Sequence, residues 1–331
     1  MRQPRRARSH VWSFCCATIL ISLVLGLPRR GEATSYNFTT IDVPGATSNA
    51  PGGFPRGGAS ANGINNAGQI VGNFWDETGI ARGFLYSGGV FTTIDVPGAT
   101  SWGTVASGIN NLGQIVGQAA GFPPPADVNR QVGFLYENGV LTTISVPQTI
   151  ATNAYGINDA GQIVGYSAGG REGGFLYTAG TFDPMVFGGI ALGINNAGEI
   201  VGVTGGAGFL YTAGTFTSIE VPGAGGTGAH GINNLGQIVG YYATGPAPED
   251  RHGFVYEAGI FTTIDVPGAT GGTVPWGIND AGQIVGYYAD AVRAYAFVAT
   301  PAPVPEPSTL LLLATGLSSL GGIAWRRSRK P

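Results

Sequence analysis

The chain has 331 residues, 43% of them hydrophobic and 11% charged, a length that suits one large domain or two smaller ones. Its net charge of -3 hides an asymmetry: between residues 34 and 305 stand six arginines and seventeen acidic residues, a balance of about -11. Such a body argues against a nucleic-acid partner, because phosphate backbones call for a basic surface. The 58 glycines would suggest disorder if they were aperiodic, but here they recur at fixed places.

Residues 1–33 read as a signal peptide. Arg2, Arg5, Arg6 and Arg8 form a basic head, residues 11–27 an apolar run, and Gly31-Glu32-Ala33 a small-x-small cleavage site. Arg29 and Arg30 after the apolar run leave an uncleaved anchor as the alternative. Cys15 and Cys16, the two cysteines of the chain, lie inside this run, so the processed protein is expected to have no disulfide and no thiol nucleophile.

A lone strand, FTTIDVPGAT at residues 38–47, precedes the first of six copies of a ten-residue motif. The clearest copy is GINNLGQIVG at 231–240. The others open at Gly63, Gly108, Gly156, Gly193 and Gly277, at spacings of 45, 48, 37, 38 and 46 residues, a period that means stacked supersecondary units. Each copy reads as a β-hairpin whose glycine, Gly236 in this copy, takes a positive φ in the turn. A variable loop follows each hairpin, then a GFLY or GFVY strand at Gly83, Gly133, Gly174, Gly208 and Gly253, a short glycine turn, and a threonine-rich strand that ends at proline.

Four short strands per unit predict antiparallel four-stranded blades. The last unit stops at its third strand, Tyr295-Ala296-Phe297-Val298, and the lone N-terminal strand supplies the missing fourth. The expected fold is therefore all-β: a six-bladed β-propeller over residues 34–298, closed by the N-terminal strand, with an open solenoid as the alternative. The short NNxG turns then lie on one face and the variable loops on the other, and the chain should leave the ring on the short-turn face.

The residue before each GIN is Asn62, Ser107, Tyr155, Leu192, His230 or Trp276. The copies agree around these positions and differ at them. They are the candidate ligand-binding ring at the channel mouth, with Tyr155, His230 and Trp276 able to stack or hydrogen-bond; relaxed packing at a strand entrance is the alternative. Tyr241, Tyr242, Tyr287 and Tyr288 suit either sugar rings or packing between blades.

Catalytic signals are sparse. His230 and His252 fall at different points of the repeat, and no spacing assembles a triad or a zinc site. Asp159 and Asp280 each supply one acid per turn, which suits a turn former and not a calcium loop. No catalytic residue, cofactor or metal is expected. A polysaccharide hydrolase or lyase, the competing class, would need paired carboxylates at the channel mouth from among Asp76, Glu77, Asp127, Glu249, Asp250 and Asp290.

Beyond the repeats come a stalk at residues 299–307 containing Pro305-Glu306-Pro307, an uncharged stretch at 308–325 long enough for a transmembrane helix, and a basic tail at 326–331 that places this end in the cytoplasm. Residues 304–330 resemble the PEP-CTERM sorting signal, because Pro-Glu-Pro, apolar stretch and arginine cluster occur together. The resemblance implies processing near Pro305, Glu306 and Pro307 by a membrane peptidase of the exosortase class, after a stage held in the inner membrane.

The repeats, GINNxGQIVG followed by GFLY over residues 63–298, are similar to the HAF repeats of extracellular bacterial proteins. His-Ala-Phe itself is absent, with His252-Gly253-Phe254 and Tyr295-Ala296-Phe297 nearest. That resemblance implies an extracellular location and supplies no activity. The expected function is a non-catalytic binding or structural component of the bacterial envelope and its exopolysaccharide matrix, a passive spacer being the third possibility.

Overall fold

The computed structural model describes residues 35–48, 57–99, 103–120, 131–170, 172–184 and 188–303. The chain divides into Met1–Thr34 and Ser35–Pro331, and the fold below belongs to the second unit. The expected signal peptide, Asp127, Pro305, Glu306, Pro307, the helix at 308–325 and the basic tail lie outside the described residues.

The structure is built from strands. β1 (Tyr36–Ile41) stands alone, and the first repeat gives β2 (Ala59–Ile64), β3 (Ile70–Trp75), β4 (Ala81–Ser87) and β5 (Val90–Ile94). The second gives β6 (Thr104–Ile109), β7 (Ile115–Ala120), β8 (Gln131–Glu137) and β9 (Val140–Ile144); the third gives β10 (Ala151–Ile157), β11 (Ile163–Ala168), β12 (Gly173–Thr178) and β13 (Thr181–Pro184). The fourth comprises β14 (Ile190–Ile194), β15 (Ile200–Thr204), β16 (Ala207–Thr212) and β17 (Thr215–Ile219), and the fifth β18 (Gly226–Ile232), β19 (Ile238–Ala243), β20 (Arg251–Glu257) and β21 (Ile260–Ile264). The sixth has β22 (Thr273–Ile278), β23 (Ile284–Ala289) and β24 (Ala294–Pro301).

The strand pairing corrects the expectation of six separate blades. The β-propeller arrangement has four free-standing four-stranded blades: β2-β3-β4-β5, β14-β15-β16-β17, β18-β19-β20-β21 and β1-β24-β23-β22. The second and third repeats share one eight-stranded sheet, because β10 meets β8 in a parallel bridge between Ala151 and Gln131. Where the first, fourth and fifth repeats read VPGA the second reads VPQT; Gln148 keeps the left-handed φ, 64, that glycine takes at this point elsewhere, and the Ile150 carbonyl accepts the Gln131 N–H at 3.1 Å.

The expected transmembrane helix is likewise no part of the described fold. Among the described residues the one helical element is a 3-10 turn, Pro248–Asp250, and no helix is long and apolar enough to cross a membrane. In the closing blade β1 lies antiparallel to β24, from Tyr36 beside Pro301 to Ile41 beside Ala296. β24 runs towards the short turns: a Cβ on Gly282, in the β22–β23 turn, would lie 3.2 Å from the Pro301 ring. The chain therefore leaves the ring on the short-turn face.

Each conserved letter of GINNxGQIVG has a separate structural task. The first glycine sits at the waist, where neighbouring inner strands meet; a Cβ on Gly231 would lie 2.5 Å from the Trp276 carbonyl oxygen and 3.1 Å from the Gly277 Cα. The asparagine is buried and bridges repeats: Asn233 Nδ2 donates to the Asn279 carbonyl at 3.0 Å and to Gln237 Oε1 at 2.7 Å, while its Oδ1 accepts the Leu235 and Gln237 N–H groups. Gly236 has φ 78 with open space around it, so it serves the turn alone. The final glycine seats a core phenylalanine, since a Cβ on Gly165 would lie 2.6 Å from the Phe175 ring.

Those phenylalanines form the core. Phe84, Phe134, Phe175, Phe209, Phe254 and Phe297 are all buried, flanked by the β-branched Ile and Val of QIVG. Burying one such ring contributes about 2 to 3 kcal/mol.

Two expectations follow for stability in urea. Gly236→Ala should cost about 1 kcal/mol, because only its φ is strained, and Gly231→Ala should cost more than about 2 kcal/mol, because the waist must also part; equal losses would mean that the waist is not tight. Ala213 sits at φ 47 in the β16–β17 turn, where the second repeat has Asn138 at φ 51. Ala213→Asn should therefore stabilise the fold by about 0.5 to 1 kcal/mol, read as a higher urea midpoint.

Candidate functional site

At the same point of all six inner strands the pairing with the next strand slips by one residue. The slips fall between Ala61 and Gly63, Ala106 and Gly108, Ala154 and Gly156, Ala191 and Gly193, Ala229 and Gly231, and Pro275 and Gly277. The skipped residues are Asn62, Ser107, Tyr155, Leu192, His230 and Trp276. A bulge leaves its extra residue out of the ladder and re-aims the side chain. All six line one cavity of about 630 Å³ at the mouth of the ring.

A second set joins them. The residue after each QIVG glycine is Asn73, Gln118, Tyr166, Val203, Tyr241 or Tyr287, and all but Tyr166 also line the cavity. The sequence carried a signal for these positions, since the copies diverge directly after QIVG as they do before GIN. Strand alternation separates the paired tyrosines. Tyr241 and Tyr287 face the mouth, whereas Tyr242 and Tyr288 turn to the other side and meet Thr263 and Thr40 at 3.1 and 3.0 Å.

The fifth and sixth repeats form an aromatic wall. The His230 ring stacks on Trp276 with centroids 4.0 Å apart and planes 11° apart, and tilts against Tyr241 at 5.3 Å. His230 Nδ1 lies 2.9 Å from the Pro275 carbonyl, which can only accept, so Nδ1 carries the proton and Nε2 is left as an acceptor. Burial pushes the imidazole down to about 4, against the Pro275 bond and with help from Arg251, so the ring is neutral at pH 7. Burial, with Tyr166 adding to it, pushes the Tyr155 phenol up to about 12, which keeps it a neutral hydroxyl. The Arg251 guanidinium stands 5.4 Å from the Tyr241 ring centre and hydrogen-bonds Tyr287.

The first two repeats form an amide wall. Asn62 Nδ2 donates to Asn73 Oδ1 at 3.1 Å and to the Ala106 carbonyl at 2.8 Å, and its Oδ1 accepts from Ser60 Oγ at 2.7 Å. Asn62 is thus committed to holding the wall. Gln118 Oε1 is buried with no hydrogen-bond partner among the described residues. Ile190, Leu192 and Val203 of the fourth repeat make the remaining side aliphatic.

The loop acids lie elsewhere. Burial opposes it, but hydrogen bonds from Thr78, Ile80 and Arg82 hold the Asp76 carboxyl down to about 2. Asp290 accepts the Val292 and Arg293 N–H groups and the Tyr295 hydroxyl, and Asp250 accepts the Ala247 N–H. Glu77 and Glu249 are exposed, and none of these five lines the mouth cavity. His252 pairs with Asp265 at 2.8 Å, away from the cavity lining. Asp159 and Asp280 stand at the opposite, short-turn end, and among the described residues no three His, Cys, Asp or Glu side chains converge as metal ligands.

Residues 303–330 match the PEP-CTERM protein-sorting motif, which marks an exported protein sorted to the surface by exosortase. The resemblance of the repeats to HAF repeats gains no support from the comparisons. In structure the chain is similar to a triple arginine-to-alanine mutant of AofleA from Arthrobotrys oligospora, at 12% identity over 84% of this chain and 93% of that one, with a TM-score of 0.49. It is also similar to the Trypanosoma rangeli sialidase in complex with 2,3-difluorosialic acid, at 7% identity over 82% of this chain and 58% of that one, with a TM-score of 0.46. The SapL1 lectin in complex with alpha methyl fucoside aligns at 12% identity over 76% of this chain and 97% of its own, with a TM-score of 0.43. No curated protein matches the chain by sequence.

Buried neutral His230 makes stability depend on pH with a defined sign. Its folded pKa of about 4 lies below the ordinary 6.5, so its contribution is full above pH 6.5 and is lost as the pH falls towards 4. Urea denaturation should show a loss of about 3 kcal/mol across that window, absent in His230→Gln. Overlapping profiles for the two proteins would show that His230 is not held neutral.

Proposed function

We propose that this exported, surface-sorted protein is a non-catalytic saccharide-binding component of the cell envelope and its exopolysaccharide matrix, and that the sugar sits in the mouth cavity. The observation that carries the reading is the bulged ring, which aims Tyr155, His230 and Trp276 into one cavity that also has an amide wall. A pyranose has an apolar C–H face and a rim of hydroxyls. Aromatic planes take the first, and neutral donors and acceptors take the second.

The lining favours binding over hydrolysis. Glycoside cleavage uses two carboxyl groups about 5 to 10 Å apart, and the described lining of the cavity contains no carboxylate. The described chain exits on the short-turn face, opposite the mouth.

The test is a glycan array and a host-exopolysaccharide binding assay with the full chain. Wild type should bind, and Trp276→Ala and Tyr155→Ala should each weaken binding at least about tenfold, while Tyr242→Phe on the outward side should not. Release of shortened sugars would move the hydrolase or lyase reading ahead. An absence of binding with a folded protein would leave a scaffold role and remove the mouth site.

A further inference from the structure

The repeats offer an internal comparison that isolates one residue. Three residues before each buried core phenylalanine stand Ala81, Gln131, Glu172, Gly206, Arg251 and Ala294. Four of the six are small or neutral, and the acidic Glu172 is not among the residues lining the mouth cavity. The fifth repeat alone places a cation there, and it is the one charged side chain in the described lining of the cavity.

Arg251 is also held in place. The loop before it folds into the 3-10 turn Pro248–Asp250, tied by Asp250 Oδ2 accepting the Ala247 N–H at 3.0 Å and by the Thr244 N–H donating to the Asp250 carbonyl at 3.0 Å. Gly272 passes close by; a Cβ there would stand 3.2 Å from the Arg251 Cβ. The guanidinium then bridges the Tyr241 face and the Tyr287 hydroxyl, beside the His230–Trp276 stack. A charge on a strand end, supported by a closed loop, is preorganised in a way that a charge on a free loop is not.

Resting on the saccharide reading above, we propose that the sugar held in the mouth cavity is acidic, with its ring carboxylate on Arg251 and the Tyr287 hydroxyl. The ring then lies against the stacked His230–Trp276 pair beside Arg251. The chemistry is that of a uronic acid or another carboxylated sugar. Guanidinium and carboxylate form the strong, directional class of charge-assisted hydrogen bond. Neutral His230 adds no second charge, so the site reads one carboxylate and otherwise hydroxyls. The body as a whole carries six arginines against seventeen acids, so its net field does not attract an anionic sugar and the attraction is the local one at Arg251.

The experiment compares two disaccharides that differ in one group, a glucuronic-acid-terminated disaccharide and its glucose-terminated counterpart, titrated into the full chain in low and high salt. The acidic sugar should bind about tenfold or more tightly than the neutral one. Added salt should erode that advantage. Arg251→Gln should abolish the difference by bringing the acidic sugar down to the neutral one, while Arg251→Lys retains part of it and shows that the variant site is folded. Equal binding of both sugars by wild type, or an acid preference that survives Arg251→Gln, would overturn the acidic assignment and leave the saccharide reading standing. Binding of neither sugar by wild type would overturn both. Acetate competing as well as the acidic sugar would overturn the sugar-specific assignment, since the site would then read the carboxylate alone.

Discussion

The structure depends on a closed circle of buried amides. Asn65, Asn110, Asn158, Asn195, Asn233 and Asn279 each donate through Nδ2 to the carbonyl of the next asparagine, and the last donates back to Asn65, over distances of 3.0 to 3.2 Å. No other side chain does this work. Aspartate lacks the donor, glutamine has one carbon too many for the turn, and each asparagine also closes its own hairpin through Oδ1. A buried amide without partners costs about 1 to 3 kcal/mol, so every member enforces its neighbours. A second, exposed circle lies over the first: each backbone N–H of Asn66, Asn111, Asp159, Asn196, Asn234 and Asp280 donates to the side-chain oxygen of the following member. Asp159 and Asp280 each accept, in addition, an Nδ2 from both neighbours, which explains how the ring tolerates acid at these two places.

This rigid end frees the other. Once the amide circles and the glycine waist fix the inner strands, the bulge immediately above the waist can present any side chain without disturbing the ladder. Asn62, Ser107, Tyr155, Leu192, His230 and Trp276 share one backbone geometry and six chemistries. Uniformity at the short-turn end and variety at the mouth are thus two consequences of one ten-residue motif. The channel narrows between them, since the cavity bounded by the GIN residues is about 80 Å³ against about 630 Å³ at the mouth.

Much of this was legible in the sequence, for physical reasons. Period, glycine turns and the unpaired N-terminal strand follow from short-range rules, and they located the strands, the closure by β1 and the mouth positions. Four features were not legible. The β8–β10 bridge needs Gln131 and Ile150 to meet, a pairing that no local pattern marks. The bulge changes no residue type, so the skipped position looks like any strand residue. Asn233 makes the local bonds of a turn former, and its bond to Asn279, 46 residues away, exists only in the closed ring. The mouth-facing Tyr241 and Tyr287 could not be told from Tyr242 and Tyr288 until the register was known, since one residue of register reverses every side chain.

The asymmetry of the mouth completes the argument. The fourth repeat joins β15 to β16 by two residues, Gly205 and Gly206, and contributes the aliphatic Ile190, Leu192 and Val203. The fifth instead inserts the supported loop that ends at Arg251, and with the sixth it supplies the stacked rings. A passive spacer gains nothing from a polarised mouth. One apolar side and one aromatic and cationic side give the cavity a direction. That polarity resides wholly in residues that the hydrogen-bonded circle does not use, and it is therefore the part of the molecule free to be shaped by what it holds.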